Sequence, residues 1–172
     1  MEVVLWPDPV LRRGVEPVED PTSLAETARQ MLDLMYRTEG VGLAAPQVGL
    51  TISLLVLNPS GDPERPEEEL VLINPKIVSK KGKEFAQEGC LSFPEIYGDV
   101  QRAQRIVVTA TDADDNETEL RAEDFLARVI QHEMDHLKGV VFIDRFTPAD
   151  RIRIRAQLEE LEERYRKLNA PT

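Results

Sequence analysis

Residues 122–139 read AEDFLARVIQHEMDHLKG, and the arrangement of the whole chain follows from this stretch. Phe125, Val129, His132 and His136 fall at i, i+4, i+7 and i+11, on one face of a helix. The spacing predicts a helix from Ala122 to about Lys138, with Gly139 as its C-terminal stop. The chain's only two histidines lie inside it, four residues apart in His132-Glu133-Met134-Asp135-His136. Residues at that spacing stack one above the other, so two imidazoles there can grip one ion. Glu133, beside them, is placed to move protons for an activated water. Two histidines scattered at random would fall four apart about 1% of the time. The pattern therefore reads as chemistry rather than as a solvated helix with i, i+4 contacts.

Two ligands do not complete a catalytic metal site, which ordinarily carries three protein donors and one open position. Cys90, the only cysteine, is the outstanding third candidate. It lies in Glu88-Gly89-Cys90-Leu91-Ser92, where the glycine lets backbone approach another group closely. A third unusual segment is Gly40-Val41-Gly42-Leu43-Ala44-Ala45-Pro46-Gln47. Its small residues admit another main chain alongside, and Gln47 carries an amide able to donate to a carbonyl oxygen. Read alone, that segment is a helix stop followed by a turn. A rival third ligand for the histidine pair is a downstream acid, Glu159 or Glu160.

Outward from these segments the chain reads as α+β, with small antiparallel sheets around the central HExxH helix and helices at both ends. Ser23, three residues before Glu26, has the spacing of a capping box. Leu24, Ala28, Met31 and Met35 then share one helical face up to Gly40. Short β-branched runs follow at 51–57, 70–73, 77–78, 106–111 and 117–121, with Asp114-Asp115-Asn116 as a hairpin turn. Residues 140–143 read as a further short strand. Thr147-Pro148 opens a last helix over about 148–168, with Ile154, Leu158, Leu161, Tyr165 and Leu168 on one face. No repeat or boundary divides the chain, so residues 1–172 read as one catalytic domain that includes the C-terminal helix.

Composition excludes several classes. One cysteine cannot form an internal disulfide, so this is no disulfide-stapled scaffold. A net charge of −11 makes the chain a poor non-specific nucleic-acid binder, because phosphate contacts need clustered Lys and Arg. The N-terminal residues lack a basic start and carry Pro7 and Pro9, unlike a signal peptide, and the longest apolar run is far too short to span a membrane. The expected location is the cytoplasm. Residues 61–70 carry a net −4 and residues 112–124 a net −6, so most of the acidity sits in loop and hairpin away from the candidate chemistry.

Taken together, GVGLAAPQ at 40–47, EGCLS at 88–92 and HEMDH at 132–136 resemble the peptide deformylase family, whose three motifs stand in this order. The resemblance runs from about residue 4 to 146. It implies removal of the N-formyl group from the formyl-methionine of newly made polypeptides, with release of formate. Cys90, His132 and His136 would hold one divalent ion, Fe²⁺ in preference to Ni²⁺ or Zn²⁺. The resemblance makes Glu133 the proton carrier, and the Gln47 side chain and Leu91 backbone N–H the donors to the developing oxyanion. An apolar pocket for methionine would involve Val41, Phe125 and Val129, and backbone at Val41, Gly42 and Gly89 would pair with an extended substrate. Glu88 and Arg102 form either a buried support for the metal or a surface ion pair. Arg128 stands at a pocket-side position that is often apolar in the family, and Tyr97 borders the same region. In some members the C-terminal helix meets the ribosome, and Arg151, Arg153 and Arg155 offer charge for such a contact.

Overall fold

The computed structural model describes residues 1–172. In chain order the elements are α1 (Ala25–Arg37), β1 (Gly42–Ala44), β2 (Leu54–Leu57), β3 (Leu70–Lys81), β4 (Glu84–Cys90), β5 (Phe93–Arg102), β6 (Arg105–Thr111), β7 (Glu117–Glu123), α2 (Asp124–Leu137), α3 (Pro148–Arg153) and α4 (Arg155–Leu168). Five strands form one antiparallel sheet in the order β1-β2-β3-β6-β7, and β4 with β5 forms a separate two-stranded hairpin. The α+β class read from the sequence is the observed architecture.

Helix α2 is buried on every side, with each residue from Ala127 to Leu137 inside. One cluster packs Ala127, Val129, Ile130 and Met134 against Leu55, Leu57, Ile106 and Val108 of the large sheet. A second seats α1, through Met31, Leu32 and Met35, against Leu43, Leu54, Val56 and Ile73 on the sheet's other face. A third joins Phe93, Ile96 and Val100 of β5 to Phe142, Phe146, Ile154 and Leu161. Each fully buried aliphatic side chain of this kind is worth about 1.5–3 kcal/mol. The third cluster draws the C-terminal helix back over the hairpin. Trp6 Nε1 donates to Glu162 Oε1 at 3.0 Å, and Tyr165 Oη to Asp8 Oδ2 at 3.2 Å, so the chain's two ends meet there.

Several local readings are corrected. The capping box at Ser23 does not form. Asp20 caps a 3₁₀ turn over Pro21–Leu24 instead, and the Ser23 hydroxyl donates back to the Asp20 carbonyl. The predicted strand at 140–143 is a 3₁₀ turn over Phe142–Arg145, because the Asp144 carboxylate takes the Val141 N–H at 3.0 Å. The central helix begins at Asp124 rather than Ala122, since β7 runs through Glu123. The two runs at 70–73 and 77–78 are one strand, β3, whose register shifts between Ile73 and Lys76. There the Asn74 side chain binds both backbone groups of Val18. The last helix is interrupted at the buried Ile154. The hairpin β4–β5 was not anticipated at all, and it carries Cys90. The Asp114-Asp115-Asn116 turn is present, held by Asp112, whose carboxylate accepts from the N–H groups of Asp114 and Asn116.

Candidate active site and metal centre

Helix α2 buries Arg128, Gln131, His132, Glu133, Asp135 and His136, and each of these must find a partner or leave a costly unpaired group. Gln131 bonds to both backbone groups of Ala103 and to the Ala127 carbonyl. Asp135 accepts from Arg102 and Arg145. Glu88 of β4 gathers the rest. Its carboxylate accepts two bonds from Arg102 at 2.9 Å, one from Arg128 at 2.7 Å, and faces His132 Nδ1 at 2.8 Å. Arg128 also donates to the carbonyls of Val100 and Glu84, tying α2 to both strands of the hairpin. The Glu88–Arg102 pair is therefore the buried one of the two alternatives, with both side chains about 5% exposed. Burial alone would raise the Glu88 carboxyl, but the bonds from Arg102 and His132 outweigh it and bring it down to about 2.

After this accounting three buried side-chain atoms in the chain lack a hydrogen-bond partner, and two of them are Glu133 Oε2 and His136 Nδ1. Burial lifts the Glu133 carboxyl to about 7, against the partial opposition of His132. Burial, together with the neighbouring His132, pushes His136 well below the ordinary imidazole value. His132 moves the other way: burial lowers it, and contacts with Cys90 and Glu88 more than reverse that.

The donor atoms of Cys90, His132 and His136 all lie within 4.8 Å of one another, with the Cys90 Sγ 3.4 Å from His136 Nε2. Glu88 occupies His132 Nδ1, which leaves Nε2 for an ion, and a carboxylate behind a ligating imidazole fixes the ring and raises its basicity. A thiolate with two imidazoles suits a first-row divalent ion. By donor type, spacing and the unpartnered Glu133 carboxylate, these residues fit a single metal ion. Glu159 and Glu160 are exposed on α4 and take no part.

The 3₁₀ turn after β1 delivers Gln47. Its Oε1 accepts the Ala44 N–H at 2.9 Å, which turns the amide nitrogen toward Cys90 Sγ at 3.5 Å and Ser92 Oγ at 3.2 Å. The Leu91 backbone N–H, in the β4–β5 turn, makes no hydrogen bond within the chain. An open groove of about 680 Å³ reaches Cys90, His132 and Glu133, with Gln47 and His136 behind its wall, and Val41, Gly42, Gly89, Leu91, Phe125 and Val129 all line it. Val129 is buried and Phe125 half exposed at the rim. Arg128, read as a pocket-side departure, reaches the groove wall while its guanidinium is spent on Glu88 and the hairpin carbonyls. The Tyr97 ring lies against Gly89, so close that a Cβ there would come within 2.7 Å of it. Arg128 and Tyr97 are the site-wall residues whose placement the sequence did not settle.

This geometry fits one class, the metal-dependent hydrolases with an HExxH helix, in the form where a cysteine from an adjoining hairpin stands where a third ligand would be. Residues 1–152 match the family model described as polypeptide deformylase. Peptide deformylase from Nitrosococcus oceani is 44% identical over 161 residues, covering 93% of this chain and 95% of that protein. The chloroplastic/mitochondrial peptide deformylase 1B of Arabidopsis thaliana is 42% identical over 96% of this chain, which spans 61% of the plant protein's length. Among solved structures, peptide deformylase of Plasmodium falciparum superposes with a TM-score of 0.94 at 36% identity, covering 99% of this chain and all of that one. A plant PDF1B crystal structure gives 0.95 at 40% identity, with 99% and 94% covered. The chain belongs to the polypeptide deformylase family.

Proposed function

We propose that this protein removes the formyl group from the N-terminal formyl-methionine of newly made polypeptides, releasing formate. The observation that carries this reading is the triad of Cys90, His132 and His136 beside a buried, unpartnered Glu133 carboxylate at one groove. Cys90, His132 and His136 would hold the ion, Fe²⁺ by preference and Ni²⁺ or Zn²⁺ as alternatives. When bound, the ion supplies the Lewis acidity that makes water nucleophilic near neutral pH. Glu133 takes the proton from the attacking water and delivers it to the leaving amine nitrogen, a task suited to a carboxyl lifted toward neutrality. The formyl oxygen gains negative charge as its carbon becomes tetrahedral. The Gln47 amide and the Leu91 N–H are the donors available to it.

The substrate enters as an extended strand. β1 is an edge of the large sheet, and Val41 and Gly42 face Gly89 of β4 across the groove. The methionine side chain rests on Phe125, Val129 and the His132 ring. The location proposed with this activity is the cytoplasm, and the partner proposed for residues 148–168 is the ribosome. No helix is long and apolar enough to cross a membrane. On the C-terminal helices Arg153 pairs with Asp150, and Arg166 and Lys167 with Glu163, so Arg151, which donates only to the Asp144 carbonyl, Arg155 and Arg164 are the cations without an ion pair.

The direct test is anaerobic purification with Fe²⁺ or Ni²⁺, then formate release from formyl-Met-Ala-Ser. Stoichiometric metal without formate release would reject the assignment. A finer expectation concerns Gly42, where an added Cβ would lie 2.8 Å from Glu133 Oε1 and 3.0 Å from Val129 Cγ1. Gly42→Ala must displace the proton carrier, and small displacements of that kind cost about 10–100-fold in turnover. Metal content should stay at the parent level. Parent-like kcat in Gly42→Ala would show that Glu133 is not held where this mechanism needs it.

A further inference from the structure

A second groove, of about 480 Å³, shares no lining residue with the first. It lies between the β3–β4 turn and the C-terminal end of α2, which contributes Gln131, Met134, Asp135 and Lys138, a different helix face from the one bearing His132 and Glu133. Lys80, Lys81, Lys83 and Lys138 line it, four of the chain's six lysines. All four are exposed, and none takes part in an ion pair. With Arg102 and Arg145 they make six cationic side chains around one carboxylate, Asp135, which both arginines already hold. The chain as a whole carries 32 acids and a net charge of −11, so carboxylates to neutralise these lysines are plentiful elsewhere.

Ordinary structural reasons account for little of this. Lysines guard exposed sheet edges, and Lys80 and Lys81 do sit where β3 pairs with β6 alone, but edge protection does not account for Lys83 in the β3–β4 turn or for Lys138 on the facing element. Lys138 alone benefits from its position at a helix C-terminus. Uncompensated like charges crowded into a concavity repel one another, and a polyanion relieves that repulsion. We infer that this groove binds the phosphodiester backbone of RNA without regard to sequence. No aromatic side chain lines it, so bases have no stacking platform. Lysine ammonium groups are mobile point charges that follow phosphates rather than read base edges. A concave groove receives a projecting phosphate ridge, whereas a bilayer presents a plane. The choice of RNA among polyphosphates rests on the activity proposed above, which places the protein where nascent chains emerge; the groove itself does not depend on that activity.

The test uses the full chain with metal bound and a fluorescein-labelled, mixed-sequence 20-nucleotide RNA, followed by anisotropy from 20 to 200 mM KCl. Four lysine–phosphate contacts predict a slope of log K against log[KCl] of about −3 for a single strand. K80E/K81E/K83E should weaken binding at least tenfold and flatten that slope, while circular dichroism reports an intact fold and formate release is unchanged. K138E, a milder change on another element, should act in the same direction. The inference fails if the parent binds no RNA at 20 mM KCl, or if both variants bind like the parent. It also fails if R155E/R164E on α4 abolishes binding as completely, which would move the contact to the C-terminal helix. Cosedimentation with phosphatidylserine vesicles in the absence of RNA binding would likewise overturn it. Loss of formate release in the parent would count against the proposed activity alone.

Discussion

Replacing Cys90 by serine is expected to leave a protein that folds but no longer retains its metal. The three donor atoms converge within 4.8 Å, and Cys90 is the only one supplied by the hairpin. A serine hydroxyl stays protonated near neutral pH and offers no soft, charged donor, so two stacked imidazoles are left on one helix. We expect affinity to fall on the order of a thousandfold, about 4 kcal/mol. Metal content after anaerobic gel filtration, together with formate release, measures it. Stoichiometric metal in Cys90→Ser would mean that another side chain completes the site and would restore the rival reading with Glu159 or Glu160.

Glu133→Gln separates chemistry from metal binding. The amide keeps the shape and burial of the glutamate and cannot accept a proton. Loss of a positioned general base typically lowers turnover about 10²–10⁴-fold. Here the whole effect should fall on kcat, with KM and metal content near parent values, because Glu133 is not among the three ligands. A variant that loses metal as well would show that Glu133 supports the ligands rather than the proton. Parent-like turnover would remove it from the mechanism.

Much of this was legible in the sequence where scarce residue types met a fixed period. The helix carrying His132 and His136 was readable because periodicity and motif agree there, and Cys90 because no other cysteine exists. The hairpin that delivers Cys90 was not readable. β5 alternates faithfully, with Ile96, Gly98, Val100 and Arg102 pointing inward, but two of those four are not apolar residues. Gly98 is required because a Cβ would strike the Phe146 ring at 2.5 Å, and Arg102 because its partners are buried carboxylates. Both demands come from distant segments, and neither leaves a hydrophobic alternation to count. The same holds for Ser23: a favourable capping pattern lost to Asp20, whose side chain caps the turn in front of it. Arg128 looked like an altered pocket wall because its partner, Glu88, lies 40 residues away.

The convergence of Arg102, Arg128 and His132 on one carboxylate has a consequence for how this protein can change over generations. Losing Glu88 alone would leave the buried Arg128 guanidinium with no carboxylate and Arg102 with Asp135 only, and breaking a buried pair from one side costs about 3–5 kcal/mol. Losing Arg128 to an apolar side chain leaves Glu88 still bonded to Arg102 and His132, a far gentler step. Descent is therefore directional at this spot. A lineage can shed the arginine on the helix at the cost of its two bonds to the hairpin carbonyls, but it must keep the glutamate for as long as it keeps the arginines and the metal.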